Sequence, residues 1–162
     1  MLQIITSPGQ VNMHQLLSVY AESNAAHGAS LLPNGSCWEQ LRLGEEMFRE
    51  SVFAFLRING AALALWSDSG RCNSALRLEP YLDGLLLSCL ETAPEDRGKG
   101  AAAALLDAVL ENSRCKIYSH VHKDNTISLK LHLNAGFSVF SDYSSLLDGT
   151  VTHSYYTLIH EY

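Results

Sequence analysis

No apolar run in this chain approaches the roughly 20 residues that a membrane-crossing helix needs. The first residues, Met1 to Pro8, have neither the charged start nor the long apolar centre of a secretion signal, so a soluble cytoplasmic protein with no membrane partner is expected. Basic residues are also scarce: 11 Lys and Arg stand against 17 Asp and Glu, a formal net charge of −6 spread over both halves. Without a basic stripe, nucleic acid is a poor partner, whereas an amine would not be repelled. Cys37, Cys72, Cys89 and Cys115 lie far apart, with no C-x-x-C pair. That argues for free thiols in a reducing compartment over a disulfide framework. His120 and His122 alternate onto one strand face but lack a third ligand at a fitting spacing, so no metal is expected. What remains, 47% hydrophobic and 17% charged residues in 162, suits one globular domain over residues 1–162.

Periodicity divides that domain into alternating elements. Leu2 to Thr6 reads as a strand, and Met13, Leu16, Leu17 and Tyr20 recur at helical spacing. Ala25 to Gly35 shows little period and reads as a loop. Ser36 and Glu39 form a capping box for a helix to about Glu50, with Trp38, Leu41 and Phe48 as buried candidates. Val52 to Ile58 and Ala61 to Trp66 around Asn59-Gly60 predict a hairpin, since Asn-Gly accepts the positive φ of a type I′ turn. Strands at Cys72 to Glu79, ended by Pro80, and at Leu85 to Thr92 complete a meander. An alanine-rich helix then separates Leu85–Thr92 from a strand at Lys116 to Val121, which must therefore run parallel to it. A helix capped by Asp124 or Asn125 and closed by Gly136, then strands Phe137 to Ser141 and Thr152 to His160, finish the chain.

The segment from Pro94 to Leu106, Pro-Glu-Asp-Arg-Gly-Lys-Gly-Ala-Ala-Ala-Ala-Leu-Leu, carries the most chemistry. Gly98 and Gly100 let the backbone bend so that several amides face one point at the positive end of the following helix, an arrangement suited to a diphosphate. Lys99 is followed by Gly100 where an ATP-binding phosphate loop needs Ser or Thr. Gly98, Gly100 and Ala103 satisfy the dinucleotide pattern G-x-G-x-x-A, but too little chain follows for the further βαβ units of that fold.

A third reading, Arg97-x-x-Gly100-x-Ala102 with Pro94 ahead, resembles the coenzyme A signature R/Q-x-x-G-x-G/A of the GNAT superfamily of N-acetyltransferases. Asn125-Thr-Ile-Ser128-Leu-Lys-Leu131-His132-Leu-Asn-Ala-Gly136-Phe137 resembles that family's second signature, N-x-x-S/A-x-x-L-Y-x-x-x-G-F, with His132 in place of Tyr. The resemblance implies an α/β (α+β) GNAT fold: a single mixed central sheet of about seven strands flanked by helices, with a splayed parallel pair forming the coenzyme cleft. It implies transfer of an acetyl group from acetyl-CoA to a primary amine of a small molecule or peptide, by direct attack in a ternary complex. A homodimer is a further family-level expectation.

By the same resemblance, backbone groups of Leu90, Glu91 and Thr92 hold the pantetheine arm. Arg97, Gly98, Lys99, Gly100, Ala101 and Ala102 hold the diphosphate, and Asn125 and Ser128 face the cofactor arm. His132, on the same helix face, takes the Tyr's place as general acid or is a buried structural residue. Glu79 and Glu91 are the candidates for the base that takes the amine proton; Arg77 and Glu79 alternate onto one strand face, where an exposed ion pair is the favoured reading over a catalytic pair. His27 and Trp38 fall where the family shapes its acceptor pocket. A coenzyme A-binding domain that senses instead of catalysing is the alternative from another class.

Overall fold

The computed structural model describes residues 1–162. Seven strands form one sheet in the order β1 (Leu2–Ile5), β2 (Ala62–Asp68), β3 (Arg71–Tyr81), β4 (Gly84–Thr92), β5 (Lys116–His122), β9 (Tyr155–His160) and β6 (Ser138–Ser141). Only β4 and β5 run parallel, as the intervening helix requires. A short ribbon, β7 (Ser144–Ser145) with β8 (Val151–Thr152), lies apart from it.

Helices cover both faces. On one, Leu16 and Val19 of α1 (Met13–Val19) and Val52 and Phe55 of α3 (Cys37–Phe55) pack with Ile5, Leu63, Leu65 and Ala75 of the sheet. On the other, Leu105, Leu106, Val109 and Leu110 of α4 (Ala101–Asn112) meet Leu76, Leu87, Ile117 and Leu158, joined by Leu129 and Leu131 of α5 (Thr126–Asn134). The alanines of α4's first turn let it approach the strands closely.

Several segments differ from the sequence reading, among them the expected last strand Thr152 to His160, of which only Tyr155–His160 joins the main sheet while Val151–Thr152 pairs in the short ribbon. Residues Val52 to Ile58 are not a strand: α3 continues to Phe55, because Phe48, Val52 and Phe55 fall at i, i+4 and i+7 and turn one stripe to the core. Asn59-Gly60 therefore links α3 to β2, and the first hairpin turn is Ser69-Gly70, both residues at positive φ, between the paired Asp68 and Arg71. Residues 25–35 are mostly helix: α2 spans Ala21–Leu31. It shows no apolar stripe because it packs through Asn24 and Gly28, its two buried residues. A Cβ on Gly28 would stand 1.7 Å from the Gln40 carbonyl oxygen, and one on Gly44 would stand 1.9 Å from that of Asn24. Of the core candidates in α3, Trp38 is 66% exposed, with Arg42 stacked on it. Finally, Pro80 does not end β3, which runs on to Tyr81 past the last β2 pairing at Leu78, where the missing N–H lies at an open edge.

Candidate active site

β4 and β5 pair from Gly84 with Lys116 to Leu87 with Ser119, and then part. The cause lies in β4, where Cys89 adopts φ +52° and the register with β3 slips between Ala75 and Arg77. Tyr20, buried at the end of α1, donates its hydroxyl to the Cys89 carbonyl at 2.7 Å and holds this bulge in place. Beyond it β4 stays on β3 as far as Thr92, while β5 stays on β9 as far as His122. Ser88 to Thr92 and His120 to His122 thus have no strand partner on the sides that face the gap. Backbone groups left so must find other partners.

The turn before α4 floors this wedge. Asp96 is buried there and anchors the turn: its carboxylate accepts from both Arg71 (2.7 Å) and Asn73 (2.8 Å), with Lys99 at 3.2 Å. Gly98 and Gly100 follow at φ +73° and +83°. The N–H groups of Gly98, Gly100, Ala101, Ala102 and Ala103 donate to nothing in the chain. Five free amides at the start of a helix form a concave donor set for an anion. Above them lies a cleft of about 680 Å³, walled by Leu90 to Thr92 and by Ile127 and Leu131 of α5. Free strand amides above and free helix amides below fit a diphosphate that carries an amide-bearing arm.

A second cavity, of about 330 Å³, opens on the other side of β4 between α2, α3 and β3. Glu91 borders both spaces. Its Oε1 accepts from Ser23 Oγ at 2.5 Å. Burial raises the Glu91 carboxyl above its ordinary value, against the lowering effects of the Ser23 hydrogen bond and of Arg97.

The profile of the acetyltransferase (GNAT) family matches residues 33–137, most of the chain. The chain belongs to this family. It is therefore an acyltransferase, with the mixed seven-stranded sheet of the GNAT fold. Solved structures share that fold at low identity. PaiA N-acetyltransferase from Thermoplasma acidophilum, in complex with coenzyme A, is 15% identical, with 100% of this chain and 99% of that one covered at a TM-score of 0.64. The IAA acetyltransferase of Bacillus cereus is 16% identical, covering 100% and 99% at 0.62. A chimera of Vibrio cholerae spermidine N-acetyltransferase SpeG and hSSAT is 16% identical, covering 98% and 93% at 0.62. No curated relative matches the sequence significantly.

Within this GNAT domain the residues singled out in the sequence are distributed unequally. Leu90, Glu91, Thr92, Arg97, Gly98, Gly100, Ala101 and Ala102 all border the cleft. Lys99 does not: its ammonium turns to Asp96 and lines a shallow hollow near Trp66. Asn125 caps α5, its Oδ1 accepting from the Ser128 amide at 3.1 Å, and neither side chain borders the cleft. Arg97 pairs with Glu22 of α2 at 2.7 Å across exposed surface. Ile127 and Leu131 are cleft residues that sequence reasoning missed; they lie inside the second signature, but at positions where only the fold shows which way they point.

His132 is 2% exposed and borders neither cavity. Its Nδ1–H donates to the Ser128 carbonyl at 2.8 Å, so the neutral ring's Nε2 accepts from Ser119 Oγ at 3.0 Å. Burial lowers its pKa, and the backbone hydrogen bond only partly opposes this. Glu79, half-buried and also raised by burial, borders neither cavity. No ion pair joins it to Arg77, which donates to Ser51 Oγ at 3.1 Å and stacks on Phe55. His27 lines the 330 Å³ pocket, while Trp38 lies outside it.

Proposed function

We propose that this chain transfers an acetyl group from acetyl-CoA to a primary amine by direct attack within a ternary complex. The observation that carries the proposal is the position of Glu91, which borders both the cleft and the 330 Å³ pocket. A donor entering by one and an acceptor entering by the other would meet beside one carboxylate. Acetyl-CoA supplies the activated acyl group as a thioester.

The chain's own residues supply the rest. The amides of Gly98 and of Gly100 to Ala103 bind the diphosphate, with Arg97 adding charge after a short move from Glu22. Backbone groups of Leu90, Glu91 and Thr92 that face the wedge bind the amides of the pantetheine arm and set its depth. Ile127 and Leu131 exclude water from its far side. Lys99 contributes through Asp96, holding the turn in shape, and Asn125 and Ser128 fix the start of α5 that supports this wall.

An attacking amine must be neutral, and Glu91 takes its proton. The raised pKa brings that carboxylate closer to the amine's own and makes it a better acceptor. Glu79 has no part in this step. His132 acts as a positioning residue for α5 and not as the acid, because its one N–H is committed to a carbonyl.

The test is release of coenzyme A thiol from acetyl-CoA in the presence of a panel of primary amines. Thiol release that requires both a panel amine and Glu91 supports the proposal. Tight binding of acetyl-CoA with no release against any amine would identify a sensor domain instead.

A further inference from the structure

The acceptor pocket has two unlike ends. At one, next to the cleft, stands the carboxylate of Glu91. At the other stands the guanidinium of Arg77, which is half-buried and has no carboxylate within 4.0 Å, although the Lys and Arg ion pairs of the molecule close at 2.7 to 3.2 Å; Glu79, two residues on in β3, interacts with it only at longer range. Its one polar partner is the neutral Ser51 hydroxyl, and the face of Phe55 takes the rest of the group. Four of its five N–H donors are uncommitted. Nearby, Asn24 lines the same wall, is 4% exposed, and its Nδ2 has no hydrogen-bond partner. A buried amide donor left unmatched is costly unless something else completes it, and the half-buried guanidinium keeps most of its donors free for a ligand.

Resting on the acetyl-transfer reading above, we infer that the acceptor is a small zwitterion, a molecule bearing both a primary amine and a carboxylate, with its amine at Glu91 and its carboxylate at Arg77. The guanidinium fork matches a carboxylate in two parallel hydrogen bonds, and a single cation matches a single negative charge. Arg77 stands opposite Ser88 in β4, three residues from Glu91, which places the two ends roughly 7 to 10 Å apart along the strand. Both side chains line the same pocket, so the span between them is one that an amino acid with several bonds between its two charges can bridge. The volume of about 330 Å³ accommodates such a molecule. A polyamine would bring a second ammonium against Arg77, so an acceptor of the spermidine kind is disfavoured here. Transfer forms the bond from amine nitrogen to acetyl carbon and breaks the bond from that carbon to sulfur, so coenzyme A leaves as the thiolate and is protonated from water that reaches the open cleft. The amine proton goes to Glu91, and the product keeps its carboxylate at Arg77.

Two measurements test this. The first compares kcat/KM for the protein amino acids, β-alanine, 4-aminobutyrate and 6-aminohexanoate with the matched amines lacking the carboxylate, and with spermidine. The expected result is a preference of roughly 10- to 100-fold for at least one carboxylate-bearing acceptor over its matched amine, the range of a charge-assisted bidentate contact. Arg77→Met should abolish that preference, while Arg77→Lys, which keeps the charge, should retain part of it. The second needs no turnover: Cys89 is exposed in this pocket, and the preferred zwitterion should slow its alkylation by iodoacetamide, read by peptide mapping, where the matched amine does not. Turnover of amines with no carboxylate preference in any pair would overturn the inference and leave acetyl transfer standing. Thiol release against no amine would remove the transfer reading, and absence of Cys89 protection by every zwitterion would then remove this one as well.

Discussion

In the proposed reaction Glu91 concentrates the chemistry of the site in one carboxylate. Replacing it with Gln keeps its shape and its bond with Ser23 but removes the proton acceptor, so kcat should fall by about 10² to 10⁴ with little change in acetyl-CoA affinity. Because burial raises its pKa, activity in the wild type should decline as pH falls through a value above the ordinary range for Glu, and that decline should be missing from the profile of Glu91→Gln. For His132 the expectation is the reverse. His132→Ala empties a buried site and strands the Ser119 hydroxyl, a loss of about 2 to 4 kcal/mol in denaturant unfolding, while the pH profile of the surviving activity keeps its shape. The second signature names position 132 but cannot say where its ring points. Both ring nitrogens find partners only because Ser119 sits where β4 and β5 part, a long-range contact that helix spacing does not reveal. Asp96 was invisible for a similar reason: its three partners include Arg71 and Asn73, which are remote in sequence.

Elements built on regular apolar spacing were legible, and those built on other contacts were not. α4, β4 and β5 carry clear patterns and stand where periodicity placed them. α2 hides because glycine, the residue that permits its close approach to α3, is also the residue that argues against helix. Gly28→Ala should therefore cost stability despite alanine's better helix propensity. The new Cβ meets a backbone oxygen that cannot swing aside, and about 1 to 3 kcal/mol of overpacking outweighs the roughly 1 kcal/mol gained in propensity. Since α2 and α3 wall the proposed acceptor pocket, acceptor KM should rise more than acetyl-CoA KM. At Gly100 the balance differs: a Cβ has open space there, and only the positive φ opposes it, about 1 to 2 kcal/mol. Gly100→Ala should thus fold, and its defect should appear in acetyl-CoA affinity, as the turn relaxes and its amides lose their common direction.

Across the whole molecule, the sheet order was recoverable only where local rules apply. A helix between two strands dictated the parallel β4–β5 pair, but the strand β9 between β5 and β6 depends on a late return of the chain that no local pattern encodes. The histidines set a global response to acid. His132 and His120 are both held below their ordinary pKa by burial, so the unfolded chain takes up protons at a pH where the folded one does not. Stability should then be constant above the ordinary histidine pKa and fall as pH drops below it, a decline that thermal melts between pH 7.5 and about 5 would follow and that His132→Phe should reduce.

The account rests on one cradle, the free amides between Gly98 and Ala103 together with the unpaired edge of β4. Residue-resolved amide hydrogen exchange with and without coenzyme A tests it most directly. Slowed exchange at Gly98, at Gly100 to Ala103 and along Leu90 to Thr92 is the predicted result; coenzyme A that binds while leaving those amides unprotected, or that does not bind at all, would contradict it.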